Sequence, residues 1–269
     1  MTRWDCHAHL FGPYEQFPLA SDRSYTPPEA HVHQYSEMLQ SLGMTNGVLV
    51  HPSAYGDDHA LLIHALAEHR NLRGVVVAKE NTPMILNGAY AKGIRGARFS
   101  HRSGAGGNFA GSASINDLLS LAPLMANENI HAELWTDCIA LPNIASTLLT
   151  LPVPVVIDHM GGFDPQKGVL DPGFKTLLKL LNSGNFWIKL CIYRNLLNET
   201  NWEIGRPFLQ AMLDARPDRL VWGSDWPHLR VSPKPDTHQL LDLLTDWVGK
   251  ENKMILDMIL GTNAESLYG

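Results

Sequence analysis

Residues 4–10, Trp-Asp-Cys-His-Ala-His-Leu, and residues 220–228, Leu-Val-Trp-Gly-Ser-Asp-Trp-Pro-His, decide how this chain folds. Each is a short apolar run that closes on ionisable groups. Between them the same kind of run recurs at 47–51, 74–78, 96–100, 131–135, 153–159 and 187–192. The intervening segments carry helical periodicity, near 29–42, 58–70, 82–92, 115–129, 140–150, 172–183, 203–216 and 236–249. Short β-type runs alternating with longer helical ones are the pattern of parallel βα units. Eight units predict an α/β fold of the closed (β/α)8 type, the TIM barrel. No G-x-G-x-x-G follows the first strand, as a doubly wound open sheet would require. A further helix at 250–260 is expected at the C-terminal end.

Length and composition agree with one domain over 1–269. Such barrels run to about 250 residues around one core, and this chain has 269, with 45% hydrophobic and 18% charged residues. A formal net charge of −6, with no Lys/Arg run, excludes nucleic acid as a partner, since phosphate binding needs a basic face. Three cysteines, Cys6, Cys138 and Cys191, form neither a zinc-finger spacing nor a disulfide framework, which fits a reducing cytoplasm. No secretory leader or membrane-spanning run is read from the sequence. Nothing in it specifies an oligomeric state.

In a barrel of this kind the chemistry gathers at the C-terminal ends of the strands. The first run ends in His7-Ala8-His9, the sixth in Asp158-His159, and the eighth leads into Asp225. Residues two apart on a strand share a face, so His7 and His9 are expected to point together into the barrel. Two loops, 11–28 and 103–114, should overhang this mouth. Gly104, Gly106, Gly107 and Gly111 would let the second act as a lid. His51, His101 and His228 also lie near the mouth, without evident partners.

The segments DCHAHLFGP, HPSAYGDD, IRGARF, VVIDHMGG, WIKLCIYR and VWGSDWPH, in this order, resemble the amidohydrolase superfamily, in its branch of 2-pyrone-4,6-dicarboxylate hydrolases and sugar lactonases. The resemblance implies hydrolysis of a small anionic lactone. Asp225 would activate the water, and His7, His9 and His159 would polarise the carbonyl. A carboxylate within hydrogen-bond reach of water is a competent general base. Imidazoles beside it suit the charge developing on the carbonyl oxygen.

The superfamily's binuclear sites need histidines where the seventh run offers Lys189, Cys191 and Tyr193. The resemblance therefore implies a reaction without a metal. Glu133 has the parity to point inward, and leaves open a single divalent ion such as zinc on His7, His9, Glu133 and Asp225.

Arg98, Arg102 and Arg194 follow strands at the mouth, and guanidinium groups bind carboxylates in a fork. Arg98 and Arg194 match family positions that hold substrate carboxylates, and Tyr25 and Ser53 match positions that contact substrate. Trp135 stands where the pyrone hydrolases place a tyrosine. Arg102 does not reproduce the spacing of their second arginine. The competing readings are a sugar-acid lactone isomerase, a metal-dependent decarboxylase and a binding barrel without catalysis.

Overall fold

Runs of Val, Leu and Ile form eight parallel strands: β1 (Trp4–Ala8), β2 (Asn46–Val50), β3 (Leu72–Val77), β4 (Ile94–His101), β5 (His131–Thr136), β6 (Val155–Ile157), β7 (Phe186–Leu190) and β8 (Leu220–Trp222). They pair in chain order, β1 to β8, as a (β/α)8 barrel requires. The structure is a computed structural model and describes residues 2–104 and 108–269. The helices are α1 (Val32–Ser41), α2 (Ala60–Glu68), α3 (Ile115–Asn127), α4 (Leu141–Leu148), α5 (Pro172–Asn182), α6 (Arg206–Ala215), α7 (Thr237–Val248), α8 (Lys253–Asp257) and α9 (Asn263–Tyr268). No helix among the described residues is long and apolar enough to cross a membrane.

Local chemistry explains these boundaries. α5 starts where the Asp171 carboxylate accepts from the Phe174 amide at 3.0 Å and Pro172 pre-sets the first helical φ. It then buries Phe174, Leu177, Leu180 and Leu181 on one face. Burying each such side chain contributes about 1.5–3 kcal/mol. Inside the barrel, Trp4, Cys6, Val48, Val50, Val75, Val156, Trp187 and Val221 pack together. Ala264 and Tyr268 of α9 join this inner cluster, and Tyr268 stacks on Trp4.

Several expected elements are shorter or different. The helix expected at 82–92 is two 3-10 turns, Pro83–Leu86 and Tyr90–Lys92, interrupted at Gly88 (φ +62°). The run at 153–159 pairs only over Val155–Ile157, because His159 and Met160 take left-handed φ. The run at 220–224 pairs only to Trp222. Beyond it, Ser224 turns to Asp5, its amide bonding Oδ1 at 2.8 Å and its hydroxyl Oδ2 at 2.6 Å. The C-terminal helix extends past 260 through a π turn (Met258–Thr262) into α9. The loop at 11–28 is anchored by a bridge between Phe11 and Ala30 and by packing of Phe11 and Phe17 with Ala54 and Tyr55. Of the lid glycines, Gly106 and Gly107 lie outside the described residues. Gly104 and Gly111 both have positive φ.

Candidate active site

The barrel closes at the site itself. The Asp225 amide donates to the His7 carbonyl, and the His9 amide to the Trp226 carbonyl, both at 2.8 Å. The strand-one histidines and Asp225 are therefore neighbours through backbone pairing alone. A bulge sets their direction: Asp5 pairs with Gly47 and Ala8 with Leu49, three steps against two. One extra residue switches the strand's parity. Trp4 and Cys6 consequently face inward with His7 and His9, while Asp5 turns outward to Tyr35 and Ser224. Gly223 makes the room, since a Cβ there would lie 2.6 Å from His7 Cβ.

Asp225 is 1% exposed and sits at φ +59°. Its Oδ2 accepts from Arg194 Nε and, at 3.1 Å, from the Tyr193 hydroxyl. Its Oδ1 lies 3.6 Å from His9 Nε2 and 3.8 Å from His7 Nε2, and its Oδ2 is 3.7 Å from His159 Nε2. Burial pushes this carboxyl up, but Arg194 and the imidazoles outweigh it and hold it well below the usual range. Burial lowers His9 to about 4, and His7 and His159 to about 3, so all three rings are neutral at pH 7.

Tautomers follow from the partners. His9 Nδ1 is 2.7 Å from the Val50 carbonyl and must donate to it, which leaves a lone pair on Nε2 facing Asp225. Two acceptors 3.6 Å apart with no hydrogen between them make a place for water or a cation. His7 Nδ1 is 3.3 Å from Lys189 Nζ and 3.5 Å from Asp158 Oδ1. An ammonium only donates, so a bond from Lys189 puts the His7 hydrogen on Nε2; a bond to Asp158 puts a lone pair there. The left-handed His159 is held through its carbonyl by Asn195 Nδ2 at 2.9 Å.

Beneath lies a buried charge network. Lys189 donates to Glu133 Oε2, and two nitrogens of Arg98 converge on Asp158 Oδ2 at 2.7 and 2.8 Å. Burial and the neighbouring Asp158 push Glu133 up to about 8. Arg98 holds Asp158 well below the usual range against the opposing effect of burial. Glu133 faces His7 Nδ1 at 3.8 Å, whereas Asp225 and His9 face Nε2. One imidazole's two nitrogens point apart, so Glu133 does not share an ion site with Asp225. The four-residue metal set read from the sequence divides here. The groups that converge are His7, His9 and Asp225, with donor atoms within 4.8 Å of one another.

Above this floor opens a cavity of about 260 Å³ lined by His9, His159, Asp225, Arg98, Arg102, Arg194, Tyr25, Ser53 and Trp135. Nine of the ten expected site residues meet there, and His7 lies just below, fully buried. Arg98 is mid-strand rather than at the strand end, because β4 runs on to His101. The indole of Trp135 lies 4.4 Å from Arg102 Cζ and 5.2 Å from Arg98 Cζ. His51 lines the cavity and bonds to the Gly56 carbonyl, while His228 bonds to Tyr193 and Thr237. The sequence reading missed Arg230 and Phe109, which also line the cavity. Neither follows from strand parity, since both are carried by loops.

Known proteins share this architecture. A 4-sulfomuconolactone hydrolase from Hydrogenophaga intermedia is 32% identical over 99% of this chain and 88% of its own length. A 2-pyrone-4,6-dicarboxylate hydrolase from Comamonas testosteroni is 29% identical over 89% of this chain and 82% of its own. The crystal structure of a probable 2-pyrone-4,6-dicarboxylic acid hydrolase from Acinetobacter baumannii, with citric acid bound, covers both chains fully at 28% identity and a TM-score of 0.85. The family model described as amidohydrolase matches residues 4–269, and the chain belongs to that family.

Proposed function

We propose that this protein is a hydrolase that opens a small lactone carrying anionic substituents. One observation carries the reading: Asp225 Oδ1 and His9 Nε2, two acceptors 3.6 Å apart, lie on the floor of a cavity walled by arginines. Hydrolysis of anionic lactones by the named relatives supports it.

Water held between Asp225 and His9 donates its hydrogens to them. Its oxygen bonds to the lactone carbonyl carbon as its proton passes to Asp225 Oδ1. His159 Nε2, with His7 Nε2 behind it, lies beside Asp225 where charge develops on the carbonyl oxygen. Each ring donates to that oxygen in its Nε2–H tautomer, which for His7 is the one set by a bond from Lys189. The ring C–O bond then breaks, and the proton on Asp225 goes to the departing ring oxygen. Lactone and water become an open acid, whose ionisation releases one proton.

Arg194 couples binding to this step. While it rests on Asp225 it weakens that carboxylate as a base. A substrate carboxylate that draws the guanidinium away restores the basicity as the lactone arrives. In Arg194→Met, burial acts on Asp225 unopposed by this cation, so its pKa rises. The acid limb of the kcat/KM profile is expected to move up in pH, with a raised KM; an unmoved limb would remove the coupling.

The trio His7, His9 and Asp225 fits one divalent cation, because His9 already donates its other nitrogen to a carbonyl, as metal-bound imidazoles do. An ion there would polarise the carbonyl and acidify water. Charge balance favours the reaction without it. Lys189, Arg98 and Arg194 already face Asp158, Asp225 and a Glu133 whose pKa is raised, so the centre is neutral or positive before any ion is added.

The test is proton release from a carboxylated lactone by pH-stat, with the product identified by NMR. The open acid is expected. A rearranged lactone would make the protein an isomerase.

A further inference from the structure

Two guanidinium groups at the mouth are not claimed by the protein's own carboxylates. Of the four arginines lining the cavity, Arg98 is committed to Asp158, and Arg194 to Asp225 and the Leu229 carbonyl. Among the described residues neither Arg102 nor Arg230 has a carboxylate oxygen within 4.0 Å. The charge of Asp137 reaches Arg102, but its oxygens already accept from the Ser103 amide and hydroxyl and from the Ile139 and Ala140 amides.

Both groups are nonetheless held in place. Arg102 Cζ lies 4.4 Å from the Trp135 ring and Arg230 Cζ 4.8 Å from the Phe109 ring, and the two rings are 5.3 Å apart. Aromatic faces hold guanidinium groups by cation–π attraction. Arg230 takes a left-handed φ of +60°, and Arg194 Nη1 pins the carbonyl just before it at 2.9 Å. Burial lowers Arg102, and the charge of Arg230 is near enough to add to it. An unpartnered surface arginine ordinarily turns into water, away from a like charge. Here two are seated on one aromatic ledge, in a chain of net charge −6.

We propose that Arg102 and Arg230 form an outer anion subsite for a second anionic substituent of the substrate, away from the carbonyl that water attacks. The inference rests on the lactone reading and names the residues of this chain that meet the second anionic group. Arg194, released from Asp225, meets the inner group. The outer group takes hydrogen bonds from both rim guanidiniums while Trp135 and Phe109 flank it. Arg230, on the loop after β8, becomes a specificity residue.

The test is citrate binding by calorimetry to the full-length protein and to Arg102→Met, Arg230→Met and the double variant, with Lys175→Met, exposed on α5, as control. Each single arginine variant is expected to loosen citrate by at least about tenfold, the scale of a lost hydrogen bond to a charged group. The double variant should lose less than the product of the two, because both arginines grip one group. Arg230 is exposed, so its variant is expected to melt with the wild type. Citrate affinity in Arg230→Met within about twofold of wild type, or no citrate affinity in the wild type, would overturn the subsite. Citrate binding needs no turnover. Arginine-dependent affinity without ring opening of any lactone would therefore keep the subsite and remove the hydrolase reading. Ring opening with affinity indifferent to both arginines would do the reverse.

Discussion

Asp225→Asn is expected to lower turnover on a carboxylated lactone by at least about 10²-fold, the low end for loss of a general base. The substitution keeps the shape of the side chain. It also keeps the backbone bond from residue 225 to the His7 carbonyl that closes the barrel. Asparagine adopts left-handed φ more readily than most residues, so the φ of +59° at this position is tolerated. What disappears is the one carboxylate that lines the cavity among the described residues, within reach of a water beside His9. The His9 ring does not replace it, because burial already lowers it to about 4 and the Asp225 charge that raises it is absent in the variant, whereas Asp225 regains basicity when substrate draws Arg194 away. Steady-state kinetics with a melting curve of each protein separates the cases. An unchanged melting temperature with near wild-type turnover would remove Asp225 from the chemistry.

Lys189→Met should strike stability instead. Lys189 is fully buried, donates to Glu133 Oε2 and lies 3.9 Å from Asp158 Oδ1. Removing one partner of a buried pair costs about 3–5 kcal/mol, because the other charge is left uncompensated. In a chain of this size that lowers the melting temperature by roughly 10 °C. The loss carries a pH signature. Glu133 is already raised by burial and Asp158, and without Lys189 it rises further. A group whose folded pKa lies above its unfolded value keeps its stability at low pH and loses it as pH rises through that interval. Both proteins lose this stability alike up to about pH 8, so the deficit of Lys189→Met against wild type should grow as pH rises above about 8, where Glu133 ionises in the wild type first. Urea unfolding at about pH 7 and about pH 9 measures it, and a deficit equal at the two would show that Glu133 does not carry the uncompensated charge.

The barrel was legible because its strands are apolar runs of β-type residues whose parity and spacing survive in the sequence. The convergence of His7, His9, His159 and Asp225 was legible for the same reason, each lying at the end of a run. The bulge between Asp5 and Ala8 was not, since the outward-turned Asp5 carboxylate beside it is met by Ser224, a contact across 219 residues. Strict alternation places Cys6 and His7 on opposite faces; the structure puts both inside. Strand ends at His159 and Asp225 were misjudged because left-handed φ at a non-glycine residue leaves little trace in composition. The role of Glu133 turned on which nitrogen of His7 it meets, and only coordinates give that. Arg194 was read as a substrate clamp alone, and its bond to Asp225 makes it a counter-ion as well. Arg230 stayed hidden because loops, not periodicity, bring it to the mouth.

The central claim is that Asp225 and the surrounding imidazoles open a carboxylated lactone without a metal. The direct measurement is pH-stat turnover of 2-pyrone-4,6-dicarboxylate by protein stripped with a chelator, its metal content determined on the same sample. Turnover undiminished by stripping, with the open acid as product, is the expected result. Activity lost on stripping and restored by zinc would contradict it, and would assign His7, His9 and Asp225 to an ion.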